Sequence, residues 1–236
     1  MGHYIACVDL ETTGLDSEND KIIEVGAVLW DSEMNTAVKM ASLLIKGVSI
    51  PDNIKDLTGI QQEHCDKFGI ELLWALETLN VEYFYHSSYI MAHNAIFDKT
   101  FIERDFKKLN LESLGPVSPW IDTRYDIPYG KESMGKGELV AIAAKHGFLN
   151  PFAHRAVFDC LTTCVLASKY SWDKIIERSK SPNIKVRALV NFDNNKKAKD
   201  AGFYWKAESK MWLKDMKQCD YFEDMWSFPS KVVVLP

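Results

Sequence analysis

Three apolar runs open the chain, and the spacing of their polar breaks predicts strands. YIACVDL (Tyr4–Leu10) is short, apolar and partly β-branched, and ends at a Thr-Thr-Gly turn. KIIEVGAVLWD and TAVKMASLLIK follow, joined through the polar stretch Asp31–Asn35, so the three strands should form an antiparallel meander. The period then changes. Leu72, Leu73, Leu76 and Leu79 fall at helical spacing, as do Phe101, Ile102 and Leu109 in a second stretch. Between them SSYIMAHNA reads as a strand ending in a polar loop. A meander followed by alternating strands and helices predicts an α/β layered fold on a mixed sheet.

Downstream, the segment from Asp122 to Gly137 is rich in Gly, Pro, Tyr and charge and is expected to be a loop. A helix over Glu138–His146 should stop at Gly147, whose missing Cβ suits a left-handed cap. A longer helix should contain Ala156 to Tyr170. Ser179–Asn183 (SKSPN) looks like a linker, dividing the chain into residues 1–178 and a small α+β domain over residues 183–236. That second part reads as a strand (IKVRALVNF), a short polar helix near Lys196–Ala201, and a hairpin in FYWKAESKMWLK.

Bulk properties narrow the class. A chain of 236 residues, 47% hydrophobic, can bury one substantial core and a small second one. No apolar run approaches the roughly 20 residues of a membrane span. MGHYIACVDLETTG leaves no room for a cleavable leader, and Ala6 stands where a myristoylation signal has Ser or Thr. Five cysteines without framework spacing fit a reducing interior, so the expected location is cytoplasmic, with no membrane association. The net charge of −5 is uneven: residues 183–236 carry +3 and the remainder −8. An acidic unit that handles a polyanion needs cations or a basic neighbour.

Three segments carry the chemistry. Asp9 and Glu11 lie two apart at the end of the first strand, so both carboxylates project from one face. Burying them is costly unless a metal or a donor offsets the charge. In His93-Asn94-Ala95-Ile96-Phe97-Asp98 a strand leads in and a helix leaves, placing Asp98 in the helix's first turn, where the helix dipole also favours an acid. In His154-Arg155-Ala156-Val157-Phe158-Asp159 the spacing of five is not a same-face spacing. His154 can meet Asp159 only from a position at or before the helix start. Each segment alone also has an ordinary structural reading, as a strand end, a first-turn acid or a surface cap.

Taken in order, VDLETTGL, AHNAIFD and HRAVFDC resemble the DEDDh group of 3′–5′ exonucleases, which includes polymerase proofreading subunits, RNase T, oligoribonuclease and exonuclease X. The likeness spans about residues 3–170. It implies a ribonuclease H-like fold, a mixed five-stranded sheet flanked by helices. It also implies that Asp9, Glu11, Asp98 and Asp159 bind metal and that His154 is the general base. Four carboxylates without thiolates make a hard oxygen site suited to Mg²⁺ or Mn²⁺. Two such ions can bind the attacking and leaving oxygens of a phosphodiester displacement. By the same resemblance Thr12 and Thr13 border the 3′-terminal nucleotide, Leu15 and Ile60 pack on its base, and Asn94 lies beside the scissile strand; plain core packing is the alternative for Leu15 and Ile60.

The activity implied is release of 5′-mononucleotides from a DNA 3′ end, with single-stranded ends as the expected partner. An RNA-trimming exoribonuclease and a subunit that mainly docks to a polymerase or repair complex are the alternatives. Other features offer less. Cys160 and Cys164, four apart on a helix, read as core, Gly135-Lys136-Gly137 lacks the setting of a phosphate-binding loop, and His64 reads as a helix-end residue. Residues 183–236 interleave nine aromatics with lysines. That mixture suits single-strand binding, a protein partner, or simply the core of a small domain.

Overall fold

The computed structural model describes residues 2–111, 118–129, 138–191, 194–222 and 224–233. Residues 130–137, with their Gly-Lys-Gly, and Phe192 lie outside them. β1 (Tyr4–Thr12), β2 (Ile22–Asp31) and β3 (Thr36–Leu44) form the expected antiparallel meander. β4 (Tyr89–Ala92) and β5 (Trp120–Asp122) add to the other side of β1 in parallel, giving the order β3-β2-β1-β4-β5. The sheet is mixed and five-stranded, as the resemblance implies.

Each face of that sheet covers its own core, and the period of two along β1 assigns residues to them. Ala6, Val8 and Leu10 point to one core, with Leu76 and Leu79 of α3 (Leu72–Leu79) and Phe101 and Ile102 of α4 (Ala95–Lys108). Ile5 and Cys7 point to the other, with Ile142 of α5 (Leu139–Lys145), Cys160 and Cys164 of α6 (Ala156–Ala167), and Ile175 of α7 (Trp172–Ser179). Asp9 and Glu11 continue the second set, so they emerge on the face that α6 covers. β2, flanked on both edges and covered on both faces, is buried from Ile22 to Trp30.

Several elements were not anticipated: α1 (Asp52–Thr58) and α2 (Gln62–Phe68), each too brief to establish a helical period, and β5 and α7. Asp122, read as the first loop residue, is the last of β5. The helix containing Ala156 ends at Ala167, short of Tyr170. His64 sits in the first turn of α2, where its Nδ1 accepts the Gln61 N–H at 3.2 Å.

A second sheet follows the linker, with β6 (Asn183–Ala188), β7 (Tyr204–Lys206), β8 (Met211–Lys217) and β9 (Ser230–Val233) in the order β7-β8-β6-β9. Helix α8 (Asn195–Asp200) lies between β6 and the β7–β8 hairpin in sequence. Val186, Ala188, Ala198, Phe203 and Phe228 form its core. Among the described residues, no helix is long and apolar enough to cross a membrane.

The two sheets are joined by more than the linker. Lys217, at the end of β8 and 5% exposed, places its Nζ 2.5 Å from the buried Asp126 Oδ1 and 3.1 Å from the Ser181 carbonyl. Arg178 donates to the carbonyls of Tyr125 and Asp126 at 2.9 and 3.0 Å and pairs with Asp220.

Candidate active site

The site is assembled at the end of β1 where β4 stops. β4 pairs with β1 only as far as Cys7, which leaves the Leu10 N–H without a strand partner. Asp98, in the first turn of α4, supplies one: its Oδ1 accepts that N–H at 3.0 Å. The hydrogen bond draws Asp98 round the sheet edge towards Asp9 and Glu11. The pairing with β2 also shapes the strand end. The β1–β2 register slips between Glu11 and Thr12, an irregularity of the kind that re-aims side chains beside active sites.

Helix α6 brings the rest. Gly26, opposite Asp9 on β2, touches the start of this helix so closely that an added Cβ would lie 2.3 Å from the Ala156 carbonyl carbon and 2.5 Å from the Val157 nitrogen. His154 precedes the helix with φ of 61°. That left-handed turn lets its N–H donate to Asp159 Oδ2 at 3.0 Å, so residues five apart meet as the sequence requires of them. Asn150 Nδ2 donates to the other oxygen of Asp159 at 2.6 Å. Ligand atoms of Glu11, His154 and Asp159 all lie within 4.8 Å of one another. Asp9 and Asp98 stand outside that span.

The carboxylates burden one another. Burial lifts Asp9 well above the usual carboxylate range, and the charges of Asp98, Asp159 and Glu11 push it further. Burial also raises Glu11 to about 8, with help from Asp159 and Glu24 against the opposing Arg155. Burial likewise lifts Asp98 and Asp159, although each accepts backbone hydrogen bonds that pull the other way. Four acids that resist ionising together constitute a site short of positive charge. All-oxygen donors with one imidazole fit a hard divalent cation.

Glu24 was not anticipated. It faces Glu11 directly across β1 and β2 and is fully buried, a repulsive pair unless answered. The answer is Arg155, whose Nε and Nη2 reach the Glu24 carboxylate at 3.2 and 3.0 Å, while the Ala156 N–H donates to it at 3.1 Å. This pair pins the first turn of α6 to the sheet. A glutamate in IIEVGAV carries no sign of a partner 131 residues away.

The positions implied for substrate contact divide. Leu15 is 86% exposed in the loop after β1. Ile60 is 1% exposed and packs in the core with Ile22 and Ile23, so the core alternative describes it and contact with a base is withdrawn for it. Thr12 Oγ1 donates to the Gly14 carbonyl and Thr13 Oγ1 to Asp20, so both hydroxyls serve the turn. Asn94, at φ of 72°, starts α4 with its N–H on Asp122 Oδ1 at 3.1 Å and its own Oδ1 accepting from Arg124 at 3.0 Å. Cys160 and Cys164 are fully buried and meet Cys7 in the core.

Residues 6–167 match the family described as Exonuclease (RNase T). The chain belongs to that exonuclease family, of the DEDDh type. Residues 184–233 of this exonuclease match a domain family of unknown function. The PolC-type DNA polymerase III of Clostridium perfringens is 32% identical over 193 residues, covering 80% of this chain but 13% of that protein. The chain therefore spans a small part of the curated relatives it matches. Among solved structures, Escherichia coli exonuclease I in complex with a dA16 oligonucleotide superposes with a TM-score of 0.63 at 14% identity, covering 98% of this chain and 62% of that one. Exonuclease X in complex with 5′-overhanging duplex DNA gives 0.51 at 19% identity, covering 74% and 99%. At these identities the likenesses are of fold alone.

Proposed function

We propose that this exonuclease removes 5′-mononucleotides from the 3′ end of DNA, with residues 1–178 as the catalytic unit and residues 183–236 as an accessory domain. The convergence of Glu11, Asp159 and His154 within 4.8 Å, beside Asp9 and Asp98, carries the reading. Asp9, Glu11, Asp98 and Asp159 would hold two Mg²⁺ or Mn²⁺ ions. When bound, such ions activate water and stabilise the charge on the attacking and leaving oxygens.

The remaining work belongs to the protein. The Glu24–Arg155 pair and Gly26 fix the start of α6, hence the separation of Asp159 from Glu11. The His154 backbone is locked to Asp159 while its exposed ring can take the proton of an attacking water. Leu15, held out on a loop that Arg104 braces through the Ser17 and Asp20 carbonyls, offers an apolar surface to the terminal base. The DNA polymerase relatives support DNA as the polymer, while the solved neighbours include both DNA-bound nucleases and one that recognises an mRNA stem-loop.

The test is degradation of matched 5′-labelled single-stranded DNA, duplex DNA and RNA, with product analysis, in Mg²⁺, Mn²⁺ and EDTA. DNA should shorten from its 3′ end to 5′-mononucleotides, and EDTA should abolish the reaction. His154→Ala should lower kcat by about 10²–10⁴ with little change in KM. Undiminished activity in EDTA, or 3′-mononucleotide products, would overturn the reading. Faster shortening of RNA than of DNA would move the assignment to an exoribonuclease.

A further inference from the structure

The second sheet carries a cleft of about 630 Å³ whose walls include Trp205, Trp212, Arg187 and Lys210. Trp205 and Trp212 are cross-strand partners on β7 and β8, their ring centroids 5.6 Å apart and their planes tilted by 57°. An aromatic-rich small domain is usually explained by its core, and most aromatics here answer to that description. Phe203 and Phe228 are buried, and Trp212, Tyr221 and Trp226 pack against them. Tyr204 is occupied on its own, its hydroxyl donating to Asp215 at 2.9 Å. Trp205 belongs to neither group. It is 50% exposed on the edge strand and lies outside the core cluster.

The charged residues described in the wall beside Trp205, Arg187 and Lys210, are both cationic. An adjoining hollow shares Val190 and Asn191 with the first and adds Lys197. Among the described residues, neither hollow has an Asp or Glu in its wall, although Asp200 and Glu208 lie close in sequence. A half-exposed indole beside cations and side-chain amides matches the chemistry of single-stranded nucleic acid, with a flat base to stack and phosphates to neutralise.

We propose that the Trp205–Trp212 cleft is a second nucleic-acid site, stacking a base of single-stranded substrate on Trp205 while Lys210 and Lys197 neutralise flanking phosphates. This rests on the nuclease reading for its choice of ligand, but it does not need catalysis to be observed. The site would hold the strand on the part of the chain that carries +3, residues 183–236, and not on the remainder, which carries −8.

The experiment uses the full chain and a fluorescent dT15 oligonucleotide in EDTA, read by anisotropy. Trp205→Ala should weaken binding roughly 5- to 100-fold, and Trp205→Phe should restore most of it. Lys210→Glu should make the dependence of log K on log salt shallower by about one unit. Trp205→Ala should lower the unfolding midpoint only slightly, by the loss of one half-exposed cross-strand ring pair, and Trp205→Phe should restore it. Hydrolysis of a chromogenic nucleoside 5′-monophosphate ester in Mn²⁺, a substrate with a single base and no flanking strand, should be unchanged in all three. If the parent binds dT15 but hydrolyses nothing, and Trp205→Ala still loses affinity, the cleft stands and the catalytic reading falls. If hydrolysis is intact and Trp205→Ala binds dT15 as the parent does, the cleft is not a strand site, and a protein segment becomes its occupant.

Discussion

From about pH 4.5 to about 8, Glu11 holds a proton in the folded chain that it would release in the unfolded one. The folded state binds more protons across that window, so stability is greatest below it and falls as pH rises through it. Asp9, Asp98 and Asp159 are displaced in the same direction. Each such group adds a slope of at most about 1.4 kcal/mol per pH unit. Denaturant unfolding in EDTA should therefore show a less stable protein at pH 8 than at pH 5.5, and Glu11→Gln should flatten part of the slope. Saturating Mn²⁺ should reverse the loss at pH 8, because a cation that binds only the folded state stabilises it. A pH-independent midpoint, or none of the Mn²⁺ effect, would count against clustered carboxylates.

Helix α6 is the element on which the site turns. Gly26→Ala would push a methyl into the backbone of Ala156 and Val157, which cannot rotate aside. The helix must shift, at a cost of about 1–3 kcal/mol, and carry Asp159 with it, so turnover should fall along with the melting temperature. Arg155→Ala should cost about 3 kcal/mol, the low end for a buried pair, because the buried Glu24 loses its cation but keeps the Ala156 N–H and the Ser42 hydroxyl as donors, measured by equilibrium unfolding. Neither residue was marked in the sequence. The period of two exposed Asp9 and Glu11 as a pair, and the odd spacing in HRAVFD demanded the turn that His154 makes. Those signals are local. Glu24 with Arg155, and Gly26 with Ala156, are contacts between distant segments, and only the fold makes them neighbours. The short helices α1 and α2 and the brief strand β5 escaped for another reason, since a pattern that hardly repeats cannot be told from chance.

At the scale of the whole molecule, the linker at Ser179–Asn183 is a poor guide to independence. Lys217 is buried against Asp126, and Asp126 Oδ2 accepts the N–H of Asp122 at 2.8 Å. Asp122 in turn accepts the N–H of Asn94, the residue that starts α4 and so sets Asp98. Burial already raises Asp126 against the pull of Lys217. Lys217→Met should remove about 3–5 kcal/mol and lower turnover on every substrate, in one cooperative transition by calorimetry. Adding Asp126→Asn, which keeps an acceptor for Asp122, should recover part of the loss. Truncation after Pro182 should behave like the lysine variant and not like the clean removal of a tethered domain. Two separate thermal transitions would refute this coupling.

The same ion pair has a consequence for the order in which the chain is made. Asp126 is synthesised about 90 residues before Lys217, which at ~5–20 residues per second is a delay of roughly 5–20 s. Through that interval the first sheet has its acids and not the cation that lets Asp126 settle beneath Asp122. The nuclease would thus stay incompletely set until Lys217 has left the ribosome. Stalled chains ending before Lys217 should digest oligonucleotides poorly, and chains stalled far enough beyond Pro236 to expose the whole sequence should gain activity abruptly.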